Sequence, residues 1–271
     1  MNHVVPVYSI AKSYTAAAAL LTFESTRSVG SVVAKLPEQL RQLSMRDLLS
    51  HRSGLDDYFT WPAYRTAVEA GSDPWETDRV VAGASVGPGG RFRYSNTGFL
   101  LVRLALEAAH GSAFHEVLNE LVFSPLGISA YRFSAREHWD HCDHPAIDPW
   151  LKRYHPGWVY TGTFAAEPDE AARGLALVMQ GQLGTRLPKQ MQQSRLVGAP
   201  DHHPMAPDAG YGLGLMTRGL PPTVVGHGGQ GPGFNLFAAV AADGSRWRGE
   251  AAAEQGEDLE LIRRCVDAVA S

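Results

Sequence analysis

Every clear strand in this sequence lies past residue 222. Thr223-Val224-Val225-Gly226-His227 and Phe234 to Ala241 are apolar runs bounded by glycine. Asp243-Gly244 supplies a hairpin turn, and Arg246 to Ala252 reads as a third, weakly apolar strand. Upstream, apolar residues recur at helical spacing. Helices first and strands last make an α/β chain of the α+β kind. At 271 residues, with 44% hydrophobic and 19% charged, the chain is long enough for one sizeable core, and we read a single domain over 1–271.

The helices carry their own punctuation. Tyr8 to Phe23 reads as an apolar helix through Ala16–Ala19, Leu20 and Leu21. Ser44 is placed to cap a helix with Asp47 at its third position, and Gly54 to stop it. Residues 56 to 80, rich in aromatics and broken by Pro62, Gly71 and Pro74, suit loops and short helices over a pocket. After the Gly87-Pro88-Gly89-Gly90 turn comes a helix from Phe99 to Ala109, with a second, capped by Ser112, from Ala113 to Val122. Glu167 to Gln180 opens on Pro168, residues 181 to 210 read as loop with weak helix, and Leu259 to Ala270 closes the chain.

Three short motifs carry chemistry. Ser9 and Lys12 stand three apart, so on a helix their side chains share one face. A serine hydroxyl needs a neighbouring base, and a lysine amine in a partly dry pocket can lose its proton and become one. Tyr94-x-Asn96 follows the glycine turn. A lysine ammonium nearby would favour the Tyr94 phenolate as a base, and the Asn96 amide can orient a lysine or a substrate carbonyl. Asn96 is equally a good helix cap and Tyr94 a good core residue. His227-Gly228-Gly229-Gln230 sits on a strand whose glycines let a substrate backbone lie close, with His227 pointing into the cleft and titrating near neutral pH.

The ordered set resembles the serine β-lactamase and penicillin-binding-protein-like superfamily, above all its class C β-lactamase-like branch of family VIII esterases and D-amino-acid peptidases and amidases. Arg46 to Leu55 is similar to the family's "LLTHTSGL" segment, and Pro88-Gly89 through Gly98 to its "PG…F.YSN.G" segment. Pro125-Leu126-Gly127-Ile128 and Tyr211-Gly212-Leu213-Gly214 match as well. The resemblance implies a helical lobe (about 30–215) on a small antiparallel sheet (about 216–271 plus the N-terminal segment). It implies Ser9 as acylated nucleophile, Lys12 as its base and Tyr94 as proton carrier. Asn96, His227, Gly228, Gly229 and Gln230 would bind substrate, with the backbone N–H groups of Ser9 and Gln230 as the oxyanion hole. His227 replaces the lysine more usual there, which disfavours a penicillin-type carboxylate. The serine stands nearer the start than in the family, so we expect a sheet short at the N-terminus, of about three strands, or one completed by a partner copy, or a truncated product.

The implied reaction is acyl transfer on a small ester or amide, without a cofactor. Open alternatives are an acyltransferase, a β-lactamase or D-Ala-D-Ala peptidase, a non-catalytic ligand-binding relative, and a metal hydrolase built on the His138–His144 cluster with its Asp140, Cys142 and Asp143. Trp150, Tyr154, Trp158 and Tyr160 are candidates to line or cover the pocket. A net charge of −4 with scattered Lys and Arg argues against nucleic acid and anionic membranes as partners. No apolar run approaches the ~20 residues of a membrane span. With no basic, apolar leader at its start the sequence reads as cytoplasmic, or as secreted if a leader has been removed. Cys142 and Cys265 allow one disulfide at most.

Overall fold

The computed structural model describes residues 3–198, 203, 205–231, 233–256 and 260–271. Its main sheet is antiparallel and has six strands rather than three: β4 (Arg195–Leu196), β5 (Ala209–Tyr211), β6 (Met216–Arg218), β7 (Val224–Gly231), β8 (Phe234–Asp243) and β9 (Arg246–Gln255), in that spatial order. β4, β5 and β6 have two or three residues each, too few for alternation to show, and β4 and β5 lie in the stretch that reads as loop.

A second, three-stranded sheet joins β1 (Val5–Pro6), β3 (Phe164–Ala166) and β2 (Tyr131–Arg132) in that order. β1 pairs antiparallel with β3, Val5 opposite Ala166, and the Val7 N–H extends this contact to the Phe164 carbonyl at 2.9 Å. This small sheet ties down the segment that precedes Ser9.

β8 is apolar from Leu236 to Ala241 because both faces of that stretch are covered. Leu236, Ala238 and Val240 join the large core under the helical lobe, where helix α4 (Pro168–Met179) packs with Leu175 and Val178. Phe237, Ala239 and Ala241 turn to the other side and meet Leu261, Cys265, Val266 and Val269 of the closing helix α5 (Glu260–Ala270). Helix α1 (Ala11–Thr22) runs through the large core, and its alanines 16 to 19 are buried all round. Small side chains there let neighbouring elements close in on every face.

Local details differ from expectation in instructive ways. Helix α2 (Met45–Leu49) is capped by the Ser44 hydroxyl accepting the Asp47 N–H, but it ends before His51. Gly54, at φ 80°, instead packs on the glycine turn, where a Cβ would lie 2.2 Å from the Gly87 carbonyl oxygen. Ser112 caps nothing. The Glu116 carboxylate reaches back to the Ala113 N–H of a helix that runs only from Phe114 to Leu118 before a wider turn takes over. Both cysteines are free and buried, so there is no bridge.

Candidate active site

Ser9 lies in a tight turn, Tyr8–Ile10, that feeds directly into α1. Tyr8 holds φ 45°, an uncommon conformation for a bulky residue. Lys12, one turn on, is 1% exposed, and its Nζ lies 2.8 Å from Ser9 Oγ and 2.8 Å from Asn96 Oδ1. Burial lowers the amine's pKa to about 7, against an opposing pull from Asp57. Once uncharged, it can donate to Asn96 and direct its lone pair at the Ser9 hydroxyl.

Asn96 is free to do this because its neighbour takes the capping role. In helix α3 (Asn96–His110) the N-cap is Ser95, whose hydroxyl accepts the Gly98 N–H at 3.1 Å. Asp57 holds the Asn96 amide from behind. Its carboxylate accepts Asn96 Nδ2 at 3.2 and 3.1 Å, and the Asn96 and Phe59 N–H groups at 3.3 and 3.1 Å. With its NH₂ committed to Asp57, the amide must present its oxygen to Lys12. Sequence reasoning missed Asp57. Its signal was slight: two adjacent aspartates just after the Gly54-Leu55 end of a recognisable segment.

Tyr94 hydrogen-bonds Ser9, but burial pushes its phenol well above the ordinary value, with Asp57 adding to the shift. The expected phenolate is therefore wrong. Desolvation outweighs the hydrogen bond with Ser9, and the hydroxyl remains protonated.

β7 closes the site. β6 pairs with it only as far as Gly226, so among the described residues Gly228 to Gly231 have β8 on one side and an open edge on the other. Gly228, Gly229 and Gln230 line the cleft together with Ser9, Tyr94 and Asn96. His227 does not. Its side chain is 0% exposed and turned to Tyr211, and burial, then the nearby Lys12, lowers its pKa to about 3. The expectation of a cleft-facing, titrating histidine is corrected on both counts.

The cleft encloses about 720 Å³. Tyr58, Phe59, Tyr64, Tyr154 and Trp158 form an aromatic wall. Of the other expected aromatics, Trp150 is 52% exposed, and Tyr160 packs edge-on to Tyr58 with its hydroxyl on the Trp75 carbonyl.

The histidine cluster is structural. His138 Nδ1 accepts the Ser134 and Ala135 N–H groups at 3.0 Å each, His144 Nδ1 accepts that of Ala146, and Asp143 accepts that of Val4. His141 stacks on Tyr131. Among the described residues no three His, Cys, Asp or Glu side chains converge as metal ligands, and no helix is long and apolar enough to cross a membrane.

A serine at the mouth of a buried helix, its neighbouring lysine with a pKa lowered to about 7, and a glycine-rich strand edge lining the same cleft define a site built for nucleophilic acyl chemistry. The chain belongs to the β-lactamase family, whose model, described as Beta-lactamase, matches residues 1–245. A D-aminopeptidase of Cereibacter sphaeroides is 25% identical over 265 residues, covering 88% of this chain and 48% of the relative. The chain thus spans about half the length of that relative. Among solved structures, a D-stereospecific amidohydrolase from Streptomyces superposes with a TM-score of 0.76 at 22% identity, covering 96% of this chain and 85% of the other. A D-amino acid amidase from Ochrobactrum anthropi gives 0.72 at 22% identity, covering 99% and 82%. The octameric penicillin-binding protein homologue from Pyrococcus abyssi gives 0.71 at 21%, covering 95% and 63%.

Proposed function

We propose that this chain is a serine hydrolase that cleaves a small amide or ester through an acyl-enzyme on Ser9. One observation carries the reading: Lys12 Nζ, buried and with a pKa near 7, sits 2.8 Å from Ser9 Oγ. Ser9 Oγ attacks the substrate carbonyl while Lys12 takes its proton. The backbone N–H groups of Ser9 and Gln230 stabilise the oxyanion, each such donor being worth typically ~10²–10³ in rate. The Tyr94 hydroxyl protonates the leaving group and recovers its proton from Lys12. Water then attacks the acyl carbonyl, the bond to Ser9 Oγ breaks to release the acid, and the water's proton passes back through Tyr94 and Lys12 to Ser9 Oγ. The names of the relatives, D-aminopeptidase and D-amino acid amidase, favour an amide. We take residues 1–271 as one domain. The octameric relative and the free edge of β9 among the described residues support a homo-oligomer.

The test is intact-protein mass after brief exposure to a p-nitrophenyl acyl ester, with Ser9→Ala alongside. The expected result is one acyl group on the native chain and none on the variant. Its decay in water separates hydrolase from acyltransferase. Ester turnover without an adduct, or an adduct that survives Ser9→Ala, refutes the proposal.

A further inference from the structure

His51 and His227 are buried on either side of Tyr211, and every proton of this trio follows from its backbone partners. His51 Nδ1 accepts the Ser95 N–H at 3.1 Å, so it carries no proton of its own. The ring's proton is then on Nε2, 3.2 Å from the Tyr211 hydroxyl oxygen, to which it donates. At the far end, His227 Nδ1 lies 2.7 Å from the Gly228 carbonyl oxygen, which can only accept, so Nδ1 carries the proton. Its Nε2 is a lone pair, 2.9 Å from Tyr211, and receives that hydroxyl's single proton. The bonds run one way, from His51 through Tyr211 and His227 to Gly228.

The two ends of this line matter to the site. The His51 ring lies against Tyr94, 4.2 Å between centroids at 33°, and Ser95 is the residue after Tyr94. Backbone groups of alternate strand residues point to the same edge, so Gly228 and Gln230 present theirs together. The last bond of the line therefore falls on the strand edge that carries Gln230.

We propose that His51, Tyr211 and His227 are positioning residues, one hydrogen-bonded unit that fixes the Tyr94 loop and the Gly228–Gln230 edge, which line one cleft with Ser9. This rests on the reading of Ser9 as nucleophile. The titratable groups packed on the unit are Lys12 and Tyr94, and burial with Lys12 nearby disfavours charge on either imidazole. The unit explains why a lysine is not equivalent at position 227: an ammonium donates to Gly228 but offers Tyr211 no acceptor.

The deciding experiment begins with ¹⁵N-histidine NMR of the full chain between about pH 5.5 and 8.5, the range in which an ordinary histidine titrates. His51 is expected as the Nε2–H tautomer and His227 as the Nδ1–H tautomer, neither titrating. The opposite tautomer at either ring, or protonation of His227 in that range, overturns the unit. Tyr211→Phe keeps the ring and removes the hydroxyl. It should slow Ser9 acylation about tenfold or more at little change in half-saturating ester, the signature of lost positioning rather than lost binding. His227→Lys should do the same and serves as a second variant should Tyr211→Phe not fold. Equal labelling rates in wild type and variants would overturn the positioning role alone. No labelling of the wild-type chain would overturn the Ser9 reading and the positioning role with it.

Discussion

Gly229 of β7 touches the backbone of Val7: a methyl group on Gly229 would sit 2.2 Å from the Val7 carbonyl oxygen. Two positions later Gly231 faces the Tyr8 ring at a similar distance. The strand edge and the nucleophile turn are therefore in van der Waals register, and only glycine permits it. Gly229→Ala must push one of them away. Because a displacement of ~1 Å can cost about 10²-fold in rate, this variant should lose about that much acylation while still folding. Near-native labelling by an acyl ester would show that the contact does not set the site.

The amine of Lys12 sets the pH dependence. Acylation should rise with pH through a single limb centred near 7, as the ammonium becomes a free base. Tyr94, held well above its ordinary value, adds no limb near neutrality. A stopped-flow profile with no inflection between about pH 6 and 8 contradicts this assignment.

The same burial makes Lys12 a stability cost with a predictable sign. Its folded pKa lies below the unfolded value, so between about 7 and 10.5 the unfolded chain binds more protons and stability rises with pH. Lys12→Met should abolish acylation yet raise the melting temperature, and the gain should be larger at pH 6 than at pH 9. A gain independent of pH would mean that the lysine is not buried as an ammonium at low pH.

Asp57 opposes that burial. Replacing it by Asn removes the negative charge that raises the Lys12 pKa, so the acid limb should move below its native midpoint. Asp57→Ala should in addition free the Asn96 amide and slow the plateau rate. An unshifted limb in Asp57→Asn would exclude electrostatic contact between the two residues.

His138 gives the contrasting case. Its Nδ1 satisfies two backbone N–H groups in a turn outside the cleft. His138→Ala should cost roughly 1–2 kcal/mol in chemical denaturation and leave acylation unchanged. A large loss of acylation with intact stability would return the cluster to the chemistry.

The motifs were legible because they are local: Ser9 with Lys12, Tyr94 with Asn96, and the glycines after His227 announce themselves by residue type and spacing. The β8 and β9 hairpin was legible for the same reason. Harder to read was anything decided by burial. His227 and Tyr94 carry the expected side chains, but desolvation reverses the expected charge behaviour of each. Asp57 is ordinary in sequence and becomes important only because the fold brings it behind Asn96. The strands β4 to β6 are held by neighbours rather than by their own pattern, and residue type alone does not show that His138 and His144 are taken up by backbone N–H groups.

The anchoring of the nucleophile has a consequence for biosynthesis. Ser9 sits on a segment whose partners are distant: Val5 pairs with Ala166, Lys12 meets Asn96 across 84 positions, and Ser13 donates to the Gly214 carbonyl across 201. A growing chain makes the serine and its base more than 200 residues before the glycine strand and cannot assemble the pocket around them until that strand has left the ribosome. Contacts of such long separation form slowly. A chain that stops short of Gly231 thus holds the serine and its base without the strand that completes their pocket.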